Sequence, residues 1–163
     1  MIRNRIDRMY EAVQKIDQVY EKWSALHGLT SYEMQIYYEI KKNKEAVITQ
    51  KDLSHMLDAP KTSINSIIKK QVQAGYIEMT VNPLNKREKV ISLTEAGKKF
   101  AKELIDPLFR YEEETARQLS EDKMETAIEI QNRFADILLE KVEQTRYKSI
   151  QEVQSGNSDK ITT

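Results

Sequence analysis

The sequence contains no cysteine. Disulfides, thiolate metal sites and cysteine-based catalysis or redox sensing are therefore excluded. It holds only four glycines and three prolines among 163 residues. So few chain breakers point to long, uninterrupted helices over a loop-rich fold. No apolar run reaches the roughly 18 residues that a membrane-spanning helix needs. The start, Met1-Ile2-Arg3-Asn4-Arg5, leads into a charged amphipathic stretch and lacks the apolar core of a signal peptide. The expectation is a soluble, cytoplasmic chain.

Histidine is scarce too: His27 and His55 are the only two. Neither sits in a cluster with metal-ligand spacing, so no metal and no cofactor is expected. Nucleophile–base pairs and phosphate-binding loops are also missing, which argues against an enzyme.

An excess of one charge is absent overall, with 26 Lys and Arg against 26 Asp and Glu. The distribution is uneven. Residues 47–93 hold seven Lys and Arg against four Asp and Glu, while residues 94–146 hold nine against thirteen. A basic middle followed by an acidic region matters for nucleic acid, because only the local field meets phosphate.

What is present is periodicity. Ile2, Ile6, Met9, Val13, Ile16, Tyr20 and Trp23 step by four and three. That spacing predicts a long helix over 2–28 with a heptad-type seam, closed at Gly28. Thr30-Ser31-Tyr32-Glu33 has the form of a capping box and opens a second helix, with Tyr32, Ile36 and Ile40 expected inward. Val47-Ile48 suggests a minimal strand. Thr49 and Asp52 can cap a third helix, whose buried side is Leu53, Met56 and Leu57.

The stretch 60–75 follows after a tight turn. Ile64, Ile67, Ile68 and Val72 fall on one side of it; Lys61, Thr62, Ser63, Asn65, Ser66, Lys69 and Lys70 fall on the other. That front face carries no acid. A helix with an apolar back and a polar, basic front suits a major groove, and two helices joined so tightly make a helix-turn-helix.

After Gly75 the period changes to two. Residues 76–81 and 89–93 alternate as strands around the turn formers Asn82, Pro83 and Asn85. The hairpin reads as a wing with a polar tip at 82–89. Thr94 caps a further helix, which Pro107 should bend, and a last helix follows from Ser120. The polar stretch 151–163 is expected to be disordered.

The fold class is mainly α: a winged helix-turn-helix (α-α-β-α-α-β-β-α-α) with long N- and C-terminal helices. In this order of elements the chain resembles the MarR family of bacterial transcriptional regulators, over roughly residues 5–145. The most specific stretch is 82–97. There Arg87 stands at the family's wing arginine, and Leu93, Thr94 and Gly97 match a Leu-Thr-x-x-Gly junction. Three positions depart from the family. Asn82 and Asn85 replace two wing aspartates, so the wing arginine lacks a charged partner. Gln71 stands where a leucine usually packs, which suggests a loosened turn or burial moved onto Val72.

The resemblance implies a single domain over 1–150, with dimerisation helices at 2–28 and 100–146 and the winged helix-turn-helix at 47–93. It implies a homodimeric repressor on a palindromic operator. Lys61, Thr62, Ser63, Asn65, Ser66 and Lys69 would meet the major groove, with Lys86, Arg87 and Lys89 of the wing at the flanking minor groove or phosphates. Asn65 suits direct readout, since a carboxamide can bond adenine at two points. The family often takes aromatic or anionic effectors. Tyr20, Trp23, Met34, Tyr37 and Tyr38 are candidate lining for such a pocket; plain core packing is their other use. The competing function is a winged-helix interaction module without sequence-specific DNA binding.

Overall fold

The structure is a computed structural model. It describes residues 1–158 except Glu45 and Leu84, with side chains described as far as Thr145. The elements are α1 (Ile2–Leu26), α2 (Ser31–Lys42), β1 (Ile48–Thr49), α3 (Gln50–Met56), α4 (Lys61–Gln73), β2 (Ile77–Val81), β3 (Lys89–Leu93), α5 (Glu95–Arg117) and α6 (Glu121–Ser158). That is the expected order and the winged-helix architecture. α6 continues as helix to Ser158, into the stretch expected to be a disordered tail, and contains no proline. Residues 159–163 of that tail lie outside the described residues.

Two compact units divide the chain, residues 1–111 and 112–163. The first holds the winged helix. Its sheet has the order β1-β3-β2, all antiparallel, with Ile77 opposite Leu93 and Val81 opposite Lys89. Ile36, Ile40, Ile48, Leu53, Ile64, Ile68, Ile77 and Ile91 form one buried cluster that ties α2, α3 and α4 to the sheet. A second cluster, Met34, Tyr37, Ala101, Leu104, Ile105 and Leu108, joins α2 to α5, with Tyr20 and Trp23 of α1 packed against it.

Local chemistry sets the helix starts. Thr30 and Glu33 form the predicted capping box, as do Thr49 and Asp52. Thr94 accepts a 3.0 Å hydrogen bond from Gly97 N–H and donates one of 2.6 Å to the Gly75 carbonyl, so one hydroxyl caps α5 and anchors the end of the α4 turn. Gly28 and Gly75 take φ of 68° and 79° just past α1 and α4, the left-handed conformation that closes a helix.

Three expectations about faces need correction. Tyr32 is exposed; α2 instead buries Met34, Ile36, Tyr37 and Ile40. Its inner face is turned because it serves two clusters at once. Met56 is exposed as well, since α3 ends there. On α4, Ile64 and Ile68 are buried but Val72 is 39% exposed, while Gln71 is buried at 5%. The polar residue took the inner position, for a reason given below. α5 runs on through Pro107 as one helix. The indole N–H of Trp23 donates to the Leu104 carbonyl at 3.1 Å, near the segment whose ladder the proline interrupts.

The second unit consists of the end of α5 and α6. Ile128, Ile130, Ile137, Leu138, Leu139 and Val142 of α6 are exposed. No helix among the described residues is long and apolar enough to cross a membrane.

Candidate nucleic-acid interface

α4 starts without a side-chain cap: Pro60 is the N-cap, and its carbonyl accepts from Ser63 and Ile64 N–H. The hydroxyls of Thr62 and Ser63 are therefore not used to begin the helix. Lys61, Thr62, Ser66 and Lys69 are exposed, and Ser63 and Asn65 are half-buried. The sequence of α4 holds no acidic residue. The six polar side chains of this front face are thus all at least partly open to solvent.

Lys70 does not belong to it. Its ammonium lies 2.6 Å from Glu33 Oε1 on α2, so its charge is directed away from the front face. Asn65 is also constrained. Its Oδ1 accepts a 3.4 Å hydrogen bond from Gln50 Nε2 at the start of α3. A two-point bond to adenine uses that same oxygen, whose second lone pair is open to it.

The helix-turn-helix corner is held by Ser54, whose hydroxyl donates to the Ala59 carbonyl at 2.6 Å. Asp58 takes φ 43° in that corner. Aspartate tolerates this left-handed conformation better than most residues.

At the wing, Asn82 N–H donates to Glu88 O at 3.0 Å and Glu88 N–H to Asn85 O at 2.9 Å. The Asn85 side-chain oxygen accepts from the Arg87 backbone N–H at 3.2 Å. Asn85 thus shapes the tip through the backbone and not through the guanidinium. Asn82 is 7% exposed. Lys86, Arg87 and Lys89 are exposed. Besides the Lys70 paired with Glu33, wing and α4 carry Lys61, Lys69, Lys86, Arg87 and Lys89 on exposed positions.

The five residues expected to line an effector pocket separate into two groups. Tyr37 and Met34 are fully buried, and Tyr37 meets Phe100 edge-on at 5.1 Å. Trp23 is pinned by its bond to Leu104 and packs against Tyr111 at 5.9 Å. Tyr37 and Trp23 are core. Tyr20 and Tyr38, with the edge of Met34, border an open groove of about 400 Å3. Asp17, Glu39 and Asp58 stand around it, and no Lys or Arg lines it. His27 Nδ1 is 2.8 Å from the Trp23 carbonyl, and His55 is exposed on α3.

Sequence reasoning missed one cluster. Glu33, Tyr37, Lys70 and Gln71 meet between α2 and α4. A glutamine in an isoleucine stripe was its signal: a buried amide demands polar partners.

Comparison with known proteins agrees with this geometry. Residues 29–97 match the family model of the winged helix DNA-binding domain. A MarR transcription regulator from Oenococcus oeni superposes with a TM-score of 0.65 at 15% identity, covering 80% of this chain and 98% of that one. The protein has the MarR fold. The MepR–DNA complex of S. aureus aligns with a TM-score of 0.62 at 18% identity, covering 82% and 96% of the two chains. In sequence, the chain is 25% identical over 104 residues to the uncharacterized HTH-type transcriptional regulator YcgE of Bacillus subtilis, covering 64% of this chain and 68% of that protein. The likeness to the MarR regulators read from the wing and the Leu93-Thr94 junction thus extends to the fold and to the matched domain.

Proposed function

We propose that this MarR-like chain is a cytoplasmic, homodimeric, sequence-specific DNA-binding transcriptional regulator. One observation carries the reading: the acid-free exposed face of α4 and the cationic wing belong to the same winged helix. On DNA, α4 enters the major groove. Arg87 reaches the flanking minor groove, where its guanidinium meets the groove's negative potential. Lys61, Lys69, Lys86 and Lys89 contact phosphate, and Thr62, Ser63, Asn65 and Ser66 face base edges or phosphate.

Support for the homodimer comes from uncovered apolar surface. Ile2, Val13, Ile16 and Val19 of α1 are each at least 39% exposed, and α6 leaves a row of Ile, Leu and Val uncovered. Pairing two chains through these helices removes that surface from water at about 25 cal/mol per Å2. A two-fold dimer would read a palindrome with half-sites about one helical turn apart.

As a repressor it would respond to a small molecule in the groove beside Tyr20 and Tyr38. Three carboxylates there make an anion a poor fit, so the aromatic half of the effector expectation is the one retained. A mobility shift with DNA from upstream of its own gene tests the function. Retention of that DNA over an unrelated fragment supports the regulator. Equal retention of both leaves the interaction module as the better reading.

A further inference from the structure

We propose that Glu33, Tyr37 and Gln71 are positioning residues: they clamp the C-terminal half of α4 onto α2 and so set the angle at which α4 meets DNA. The inference rests on α4 being the DNA-reading helix.

The two halves of α4 are held differently. Ile64 and Ile68 seat the front half in the apolar cluster. Such contacts are non-directional and tolerate small rotations. One turn later the buried residue is Gln71. Its Oε1 accepts a 2.7 Å hydrogen bond from the Tyr37 hydroxyl, and its Nε2 lies 3.4 Å from Glu33 Oε1. The amide is thus held at both ends in one orientation. Lys70 adds a second strap to the same Glu33 oxygen at 2.6 Å. Glu33 is itself fixed, because its other oxygen accepts from the Thr30 N–H at 2.8 Å and hydroxyl at 3.0 Å. Tyr37 is wedged by Phe100, and Phe100 stacks on Tyr76 at 4.8 Å, directly after the α4 turn.

Directional bonds at 0–5% exposure fix rotation in a way that apolar packing does not. The set is closed. Among the described residues, no buried side-chain nitrogen or oxygen lacks a partner. A leucine at position 71 would fill the space but orphan the Tyr37 hydroxyl. Gln71 and Tyr37 are therefore matched to each other, which explains why a polar residue displaces Val72 from the buried register.

Gln71→Leu, Tyr37→Phe and the double variant test the clamp, each measured for thermal midpoint, for affinity on one DNA fragment bound by the wild type, and for amide exchange at Val72 to Tyr76 in the free dimer. Gln71→Leu is expected to melt lower and to bind DNA about tenfold more weakly. The double variant, with no orphaned hydroxyl, is expected to regain the wild-type midpoint. Its DNA affinity should stay at least about fivefold weak, and its exchange at Val72 to Tyr76 should be at least about tenfold faster. A double variant with wild-type affinity and exchange would overturn the clamp and leave these residues as core filling. If the wild type itself discriminates no DNA sequence, the regulator reading falls. The exchange comparison then decides the clamp alone: faster exchange supports it, and unchanged exchange overturns it.

Discussion

The helical backbone at Gly97 rests directly on the carbonyl group of Tyr76. A β-carbon at Gly97 would stand 2.8 Å from the Tyr76 carbonyl carbon and closer still to its oxygen. The Thr94 N–H donates to that same oxygen at 3.1 Å, so the contact joins the α4–β2 turn to the start of α5.

Gly97→Ala should therefore destabilise the protein by about 1–3 kcal/mol or more, through overpacking against backbone that cannot yield. In an open helix the same change stabilises by about 1 kcal/mol, so the sign is diagnostic. Urea unfolding followed by circular dichroism measures it. A variant as stable as the wild type would mean that α5 does not sit on Tyr76.

Glu33 links pH to stability. Burial pushes its carboxyl up, but the hydrogen bonds from Lys70 and Thr30 and the Lys70 charge together outweigh burial and hold it below its ordinary 4.5. A lowered folded value means that the charged form is favoured by folding. The contribution is fully present above about 4.5 and is lost as pH falls through the folded value. Asp52 behaves likewise, held down first by its hydrogen bond from the Thr49 hydroxyl. Glu33→Gln should cost about 1–3 kcal/mol at neutral pH and flatten the acid limb of the stability curve. Thermal midpoints from pH 3 to 7 check this. An acid limb identical to wild type would remove Glu33 as its source.

Ile16 is 56% exposed in the middle of the α1 seam. The proposed homodimer would cover it. Ile16→Glu should shift the species in sedimentation from two chains to one while helix content stays near that of the wild type. A wild type that sediments as one chain at micromolar concentration would contradict the assignment of α1 to the dimer.

The Arg87 backbone N–H donates to the Asn85 side-chain oxygen, and Arg87 itself is exposed. Arg87→Ala should weaken DNA binding by about 1–3 kcal/mol and leave the thermal midpoint almost unmoved. Fluorescence anisotropy and a melting curve on the same sample separate the two effects. An unchanged affinity removes the wing from the interface.

Much of this was legible in the sequence because it is local. Capping boxes such as Thr30–Glu33, the change of period after Gly75 and the Leu93-Thr94 junction lie within a few residues of the structure they specify. The MarR-like fold follows from that order. Three readings changed because of distant partners. Gln71 looked like a weakness because its partner Tyr37 is 34 residues away. Lys70 looked like a front-face cation because Glu33 lies 37 residues before it. For Trp23 both pocket lining and core packing stayed open, because nothing in a linear pattern discloses a bond to a carbonyl 81 residues on. At the wing, the backbone bonds of Asn82 and Asn85 form only once the hairpin closes.

If α4 and the wing read DNA through a cationic surface, both sequence and salt must govern binding. The deciding measurement is the affinity of the wild-type protein for DNA from upstream of its own gene and for a scrambled fragment, by anisotropy from 50 to about 200 mM salt. Binding to the first fragment should be tighter at every salt concentration, by at least about a thousandfold at the physiological end, with affinity falling steeply as salt rises. Equal affinity for the two fragments, or an affinity that salt does not change, would contradict it.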